Sequence, residues 1–216
     1  MRVVPMRVVL ASNNAKKLAE LQALFSGLPI ELMTQGSLGI AEADEPFHTF
    51  IENGLAKARH ASAASGLPAL ADDSGLCVDA LGGLPGVASA HFASTPALPS
   101  DADRETRRRA QDAANNTLLL QRLGDGTQRR AAFVCTLVAV RHPADPEPLV
   151  ACGRWLGEVL RQPSGQGGFG YDPLMFIPAL GATVAELDAG VKNRLSHRAL
   201  AAGQLRQRLL ADWSLG

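Results

Sequence analysis

Residues 131–160 read AAFVCTLVAVRHPADPEPLVACGRWLGEVL, and this stretch decides the class of fold. Residues 131–141 are an almost unbroken apolar and β-branched run, the composition of a strand buried on both faces. A second strand-like run opens at Leu149. Between the two, RHPADPEP is rich in proline, which cannot continue a hydrogen-bonded ladder and so turns the chain. Two strands joined by so short a turn pair antiparallel. Elsewhere strand-like runs alternate with helical patterns, so the expected class is α/β, with a mixed sheet and flanking helices and not a strictly alternating parallel one.

On the N-terminal side, residues 7–11 and 29–34 read as strands. They flank a helix from Ala15 to near Gly27, in which Leu18, Leu21, Leu24 and Phe25 share a face. A second amphipathic helix is expected over 47–65, with Phe47, Phe50, Ile51, Leu55, Ala58 and Ser62 at helical spacing. LPALAD, residues 67–72, reads as a short buried strand with Asp72-Asp73 at its end. A Gly-, Pro- and Ser-rich connection over 82–100 leads to a helix over 101–123, whose Arg104, Arg107, Arg108 and Arg109 read first as a solvated face, and otherwise as a subunit contact or substrate steering. On the C-terminal side come the glycine-rich PSGQGGFGYDP (163–173), an apolar LMFIP, and one continuous helix over 191–213. Val191, Leu195, Ala199, Ala202, Leu205 and Leu209 form its stripe. MRVV occurs twice at the start, so residues 1–6 are expected to be a disordered lead with Met6 as an alternative start, and 7–213 a single two-lobed domain.

Lysine plus arginine and aspartate plus glutamate number 21 each, so no net field recruits nucleic acid or an anionic membrane, and anion binding has to be local. No apolar run is long enough to span a bilayer, and no secretory leader is visible; a cytoplasmic enzyme is expected. Cys77, Cys135 and Cys152 lack metal-ligand spacing and read as core residues. Asn115-Asn116-Thr117 matches a glycosylation sequon, which has no meaning without a secretory signal.

Two adjacent carboxylates at the end of a buried strand repel one another and resist ionisation unless a cation neutralises them. Magnesium (Mg2+) takes oxygen ligands and is commonly held by one or two carboxylates plus substrate phosphates. Asp72, Asp73 and an acidic loop residue, Asp44 or Glu45, suit it, although DDSG is also a common turn sequence. SNNAKK, residues 12–17, places small polar residues and lysines where a strand feeds a helix; it suits a phosphate, or equally a helix cap. Gly165, Gly167 and Gly170 satisfy G-x-G-x-x-G, but no helix follows, so a dinucleotide site is rejected. Phe169 and Tyr171 beside these glycines suit stacking on a nucleobase, or the core. In KNRLSHR, residues 192–198, Lys192 and Ser196 lie four apart on one helical face beside His197 and Arg198. No G-x-S-x-G elbow supports a serine hydrolase built on Ser74 and His197.

SNNAKK, FIENGLAKA, LADDSGLCVDALGGLPGV, GGFGYDP, TVAEL and KNRLSHR, in this order over residues 7–211, closely resemble the inosine triphosphate pyrophosphatase family. The resemblance implies a two-lobed mixed α/β fold with an active cleft between lobes. It also implies a magnesium-dependent homodimer that cuts ITP, dITP and XTP between the α- and β-phosphates, and so clears them from the nucleotide pool. By matching positions, Ser12, Asn13, Asn14, Ala15, Lys16 and Lys17 would hold the triphosphate. Asp73 would be the catalytic carboxylate and a metal ligand, Ser74 a substrate contact, and Glu45 and Asp72 further acidic groups around the ion. Phe169, Gly170, Tyr171 and Asp172 would sandwich the base, with Lys192, His197 and Arg198 completing its recognition. Many members carry Thr-Gly-Asn where this chain has Ser12-Asn13-Asn14; asparagine tolerates left-handed backbone angles, so the turn survives.

Overall fold

The computed structural model describes residues 4–213. Of the expected lead, residues 1–3 lie outside the described residues, and Met6 already belongs to the first strand, its N–H donating to the Pro29 carbonyl at 2.7 Å. The strands are β1 (Met6–Leu10), β2 (Ile30–Thr34), β3 (Ala69–Val78), β4 (Arg130–Val140), β5 (Leu149–Val159), β6 (Met175–Ile177) and β7 (Ala182–Thr183). They hydrogen-bond in the order β2-β1-β3-β4-β5-β6-β7. β1 is parallel to β2 and β3, while β6 is antiparallel to β5 and β7, so the sheet is mixed. The helices are α1 (Ala15–Leu24), α2 (Phe50–Ser65), α3 (Arg104–Leu123), α4 (Ala189–Leu195) and α5 (His197–Asp212).

The proline-rich turn between β4 and β5 is clasped by one buried carboxylate. Asp145 accepts from the backbone N–H of Arg141 and Glu147 and from the Arg141 guanidinium, at 2.8–3.0 Å. The Arg141 side chain is the main reason its carboxyl lies well below the usual range.

Two compact units divide the chain. The first takes the residues up to Asp73, Cys135–Arg154, and those from Asn193 onward. In it the period-2 alternation of β1 separates two apolar layers. Val8 and Leu10 pack with Leu21, Phe25, Leu137 and Leu205, while Val9 packs with Ala58, Ala61, Ala71 and Val138. Small residues dominate the second layer, so α2 comes close: a Cβ added at Gly54 would lie 3.0 Å from Val138 Cγ2. The second unit, Ser74–Val134 with Trp155–Lys192, has its own core of Leu76, Leu119, Phe133, Trp155, Tyr171, Leu174 and Met175.

Four expectations are corrected. β3 does not end at the aspartates but runs on through them to Val78. α2 starts at Phe50 and not at 47, because Thr49 caps it: the hydroxyl accepts from Glu52 N–H at 3.2 Å and donates to the Glu52 carboxylate at 2.6 Å. The C-terminal helix is two helices. Ser196 takes an extended conformation and its hydroxyl accepts from Ala199 N–H at 3.1 Å, a cap that ends α4 and starts α5 and leaves Leu195 exposed. Finally, Cys152 is exposed, on the outward face of β5.

α5 enters the first unit over Gly153 of β5, where an added Cβ would overlap the His197 carbonyl oxygen and crowd the Ala201 backbone. Gly153→Ala is therefore expected to destabilise the protein by about 2 kcal/mol or more, since backbone has to move to relieve the overlap. Urea denaturation of the two proteins measures this, and an unchanged midpoint would contradict it.

Candidate active site

Consecutive residues of a strand point to opposite faces, and β3 uses this to give its two aspartates different surroundings. Asp72 is only 1% exposed. Its Oδ1 lies 2.8 Å from Lys17 Nζ and its Oδ2 2.6 Å from Arg198 Nε, with the Cys135 thiol 3.8 Å from the same Oδ2. Arg198, fully buried at the start of α5, also pairs through Nη1 with Glu20 of α1. Burial alone would raise the Asp72 carboxyl, but Arg198 and then Lys17 outweigh it and hold the group well below its usual range. Burial likewise opposes the charge of Arg198, and Asp72 outweighs it, so the guanidinium titrates above its ordinary value.

Asp73 meets the other layer. The close approach of α2 at Gly54 brings the ammonium of Lys57 to 2.7 Å from Asp73 Oδ1, 3.0 Å from Glu45 Oε2 and 3.3 Å from the Asp72 carbonyl. Here cation and acids do not balance. Burial pushes the Asp73 carboxyl up to about 6, with Lys57 pulling it down and the Glu45 charge adding to the rise. Burial would raise Glu45 too, but Lys57 leaves that group net below its ordinary value. Lys57, which burial alone would lower, is raised by Asp73 and Glu45. Asp73 Oδ2 is buried with no hydrogen-bond partner among the described residues.

That oxygen decides how a divalent ion fits. Among the described residues no three His, Cys, Asp or Glu groups converge as a ready-made metal centre. Asp72 contributes no ligand, because both its oxygens are engaged by side-chain cations. The expectation that an ion makes the pair tolerable is corrected at Asp72: Lys17 and Arg198 do so, as oppositely charged hydrogen-bonding partners in a low-dielectric setting. Asp73, with one oxygen unengaged, and Glu45, with a side chain 45% exposed, are two hard oxygen donors. That is the number magnesium commonly takes from a protein when phosphates supply the rest.

The turn from β1 into α1 is a helix cap. Asn14 Oδ1 accepts from Lys16 N–H at 3.0 Å and Lys17 N–H at 3.2 Å, and Ser12 Oγ accepts from Asn14 N–H. Asn13 donates to Glu42 at 2.9 Å. Ala15 and Lys16 are exposed, whereas the Lys17 ammonium is drawn in to Asp72.

The glycine-rich loop belongs to the second unit. Asp172 is buried and its Oδ2 accepts from Phe169 N–H at 2.9 Å and from Lys192 Nζ at 3.0 Å. Gly168, at φ +75°, makes room for this carboxylate, which an added Cβ would strike. The close approach these glycines permit is thus partly to the loop's own aspartate. Lys192 Nζ lies 4.6 Å from the centroid of the Phe169 ring, and the Arg108 guanidinium of α3 lies 5.8 Å from it. Tyr171 is in the core, its hydroxyl donating to the Ser89 carbonyl at 2.9 Å; burial raises its pKa, and the ring is not placed to stack on a base.

The first unit thus gathers Lys17, Glu45, Asp72, Asp73 and Arg198, and the second gathers Phe169, Gly170, Asp172 and Lys192. Ser74 is half-buried at the start of the second unit. His197 is buried at the first position of α5. Arg198, expected to donate to a base, instead commits Nε and Nη1 to Asp72 and Glu20. Ser196, expected to share a face with Lys192, caps the next helix instead. Two members of the first cluster were missed from sequence. Lys57 carried a signal: it is a lysine on the apolar face of an amphipathic helix, in line with Gly54, Ala58 and Ala61. Glu20 carried none, because its partner is 178 residues away.

A model of the Ham1 family matches residues 8–208 of the chain. The dITP/XTP pyrophosphatase of Methylibium petroleiphilum is 68% identical over 208 residues, covering 96% of this chain and 99% of that protein. The dITP/XTP pyrophosphatase of Leptothrix cholodnii is 66% identical, covering 97% and 100%. Among solved structures, a HAM1 protein from Coxiella burnetii superposes with a TM-score of 0.83 at 40% identity, covering 95% of this chain and 99% of that one.

Proposed function

Since the chain belongs to the Ham1 family, the inosine triphosphate pyrophosphatase family, we infer that it hydrolyses non-standard purine nucleoside triphosphates, dITP, XTP and ITP, to the monophosphate and pyrophosphate. Asp73 carries this reading: a buried carboxylate with a raised pKa and an unspent oxygen, held at its other oxygen by a lysine, is what a group that takes a proton from water requires.

Glu45 and Asp73 are the residues that would hold magnesium. The ion, when bound, screens the phosphate charge and polarises the phosphorus under attack. Lys57 fixes the Asp73 carboxylate through Oδ1 and leaves Oδ2 to orient and deprotonate a water. That water's oxygen bonds to the α-phosphorus, its proton passes to Asp73, and the bond from the α-phosphorus to the bridging oxygen breaks to release pyrophosphate. Ser12–Lys17 supply polar and cationic groups for the triphosphate, and Ser74 contacts the substrate. Positioning and charge, not covalent chemistry, carry the rate.

Base choice is assigned to the second cluster. Phe169 offers a flat apolar face to a purine, and Asp172 holds Lys192 as a fixed donor beside it. Hypoxanthine and xanthine present a 6-oxo acceptor where adenine presents an amino donor, so adenine leaves a buried donor unpaired and is rejected. His197 and Arg198, at the start of α5, are assigned to base recognition by the family resemblance. The same reading makes the enzyme a cytoplasmic homodimer that acts on free nucleotides without nucleic acid or membrane partners.

Pyrophosphate release from dITP, XTP, dATP and dGTP, with magnesium or with EDTA, tests the assignment. Rapid turnover of dITP and XTP that EDTA abolishes is expected; equal turnover of dATP would refute it. The proton and the ion compete for Asp73. Above a pH of about 6 the carboxylate is ionised and binds the ion; below it the proton does. The magnesium concentration giving half-maximal rate should therefore rise about fourfold as the pH falls from 8 to 5.5, because one proton competes with a pKa of about 6. A half-saturating concentration that does not change over that range would remove Asp73 from the metal site.

A further inference from the structure

The loop that carries Phe169 is gripped from outside by α3, a helix to which neither the sequence motifs nor the family resemblance assigns a role. Asp112 and Asn116 lie four residues apart on one face of α3 and hold the two polar ends of one residue. Asp112 Oδ2 accepts from Gly170 N–H at 2.9 Å, and Asn116 Nδ2 donates to the Gly170 carbonyl at 3.0 Å. Gly170 has φ +62°, a left-handed conformation open to it because it lacks a Cβ. With its N–H and C=O both fixed, the peptide planes on either side of it are fixed as well, including the one that follows Phe169. Asp112 Oδ2 also takes Arg108 Nη1 at 3.1 Å, while Glu105 takes the same guanidinium through Nε and Nη2. The guanidinium over the Phe169 ring is therefore itself tethered, one helical turn before Asp112.

We propose that Asp112 and Asn116, with Arg108 held between Glu105 and Asp112, are the positioning residues for base recognition: their hydrogen bonds to Gly170 set the Phe169 ring against the purine. This rests on the nucleotide reading above. All three residues contact the Phe169–Gly170 segment, which is assigned to the base and not to the phosphates, so the effect of losing them is expected on the base. Arg108, for which the sequence favoured a solvated face over a subunit contact or substrate steering, is half-buried between Glu105, Asp112 and the Phe169 ring.

Removing an interaction made equally in the bound and transition states raises KM and leaves kcat in place. Asn116→Ala and Asp112→Ala should each raise KM for dITP by about tenfold, the loss of one well-made hydrogen bond, with kcat within about twofold. The dITP/dATP selectivity should fall by a similar factor. Asp112→Asn keeps an acceptor for Gly170 N–H and should recover most of the KM. Inhibition by inorganic tripolyphosphate, which has no base, should be unchanged in all three variants. A general loosening of the fold would move tripolyphosphate inhibition together with KM, and would count against the proposal, as would an unchanged KM and selectivity in Asn116→Ala. If an alanine variant does not fold, Asp112→Asn and Asn116→Asp decide the matter: the first should be near wild type and the second impaired, because a carboxylate repels the Gly170 carbonyl. Equal behaviour of these two overturns the proposal. Wild-type protein that releases no pyrophosphate from dITP or XTP would sink the underlying function instead, so the two failures are distinguishable.

Discussion

Asp73→Asn leaves a folded protein whose release of pyrophosphate from dITP falls by about 10³-fold or more. An amide cannot take the water's proton, and general-base catalysis alone commonly contributes about 10²–10⁴; the same change removes one of the two carboxylates proposed to hold the ion. The variant should be no less stable than wild type at pH 8. The folded-state pKa of Asp73 is raised to about 6, mainly by burial, so ionising it costs the folded state more than the unfolded one, and wild type gives up stability as pH rises from about 4 through 6. Asparagine imitates the uncharged form and escapes that cost. Thermal denaturation at pH 5 and pH 8, alongside the rate assay, checks both halves. Retained turnover, or a variant that collapses at pH 8 but not at pH 5, contradicts the assignment.

Arg198→Met is expected to do the opposite, damaging the fold first. It strands Asp72, whose carboxylate is 1% exposed, with Lys17 as its remaining cation. Breaking one side of a buried pair costs about 3–5 kcal/mol, which for a chain of this length lowers Tm by about 10 °C. Adding Asp72→Asn to that variant should restore at least half of the loss, because the stranded charge goes with it. Asp72 has a depressed folded-state value, so its contribution is present above its unfolded pKa of about 4 and is lost as the pH falls through the folded value. The gap between wild type and Arg198→Met should therefore be full at pH 7 and narrow below about pH 4. An equal gap at both pH values would mean that packing, not the ion pair, is what Arg198 supplies.

The alternation of strand and helical periods, the hairpin over 131–160 and the order of the short motifs were legible in the amino-acid sequence, because each is a local pattern of apolar residues, turn formers and caps. The limits of α2 and the break at Ser196 were also written locally, in T-x-x-E and in a serine before α5, but the apolar stripe through Leu195 and Ala199 outweighed the cap signal. Periodicity alone cannot tell a helix that continues from one that restarts.

The residue types at the site were likewise set by sequence: paired aspartates, lysines after a strand, an aromatic among glycines, and basic residues around the start of the last helix. Their partners were not. Side-chain charges act across space, over a few ångströms, between residues whose chain separation is arbitrary: Asp72 meets Arg198 across 126 positions, and Asp112 meets Gly170 across 58. Only the folded arrangement, with β3 running through both aspartates and α2 drawn close at Gly54, gave Asp72 two cations and left Asp73 with a shared lysine and an unspent oxygen. Identical neighbours in sequence thereby became a neutralised structural anchor and a carboxylate fit to accept a proton.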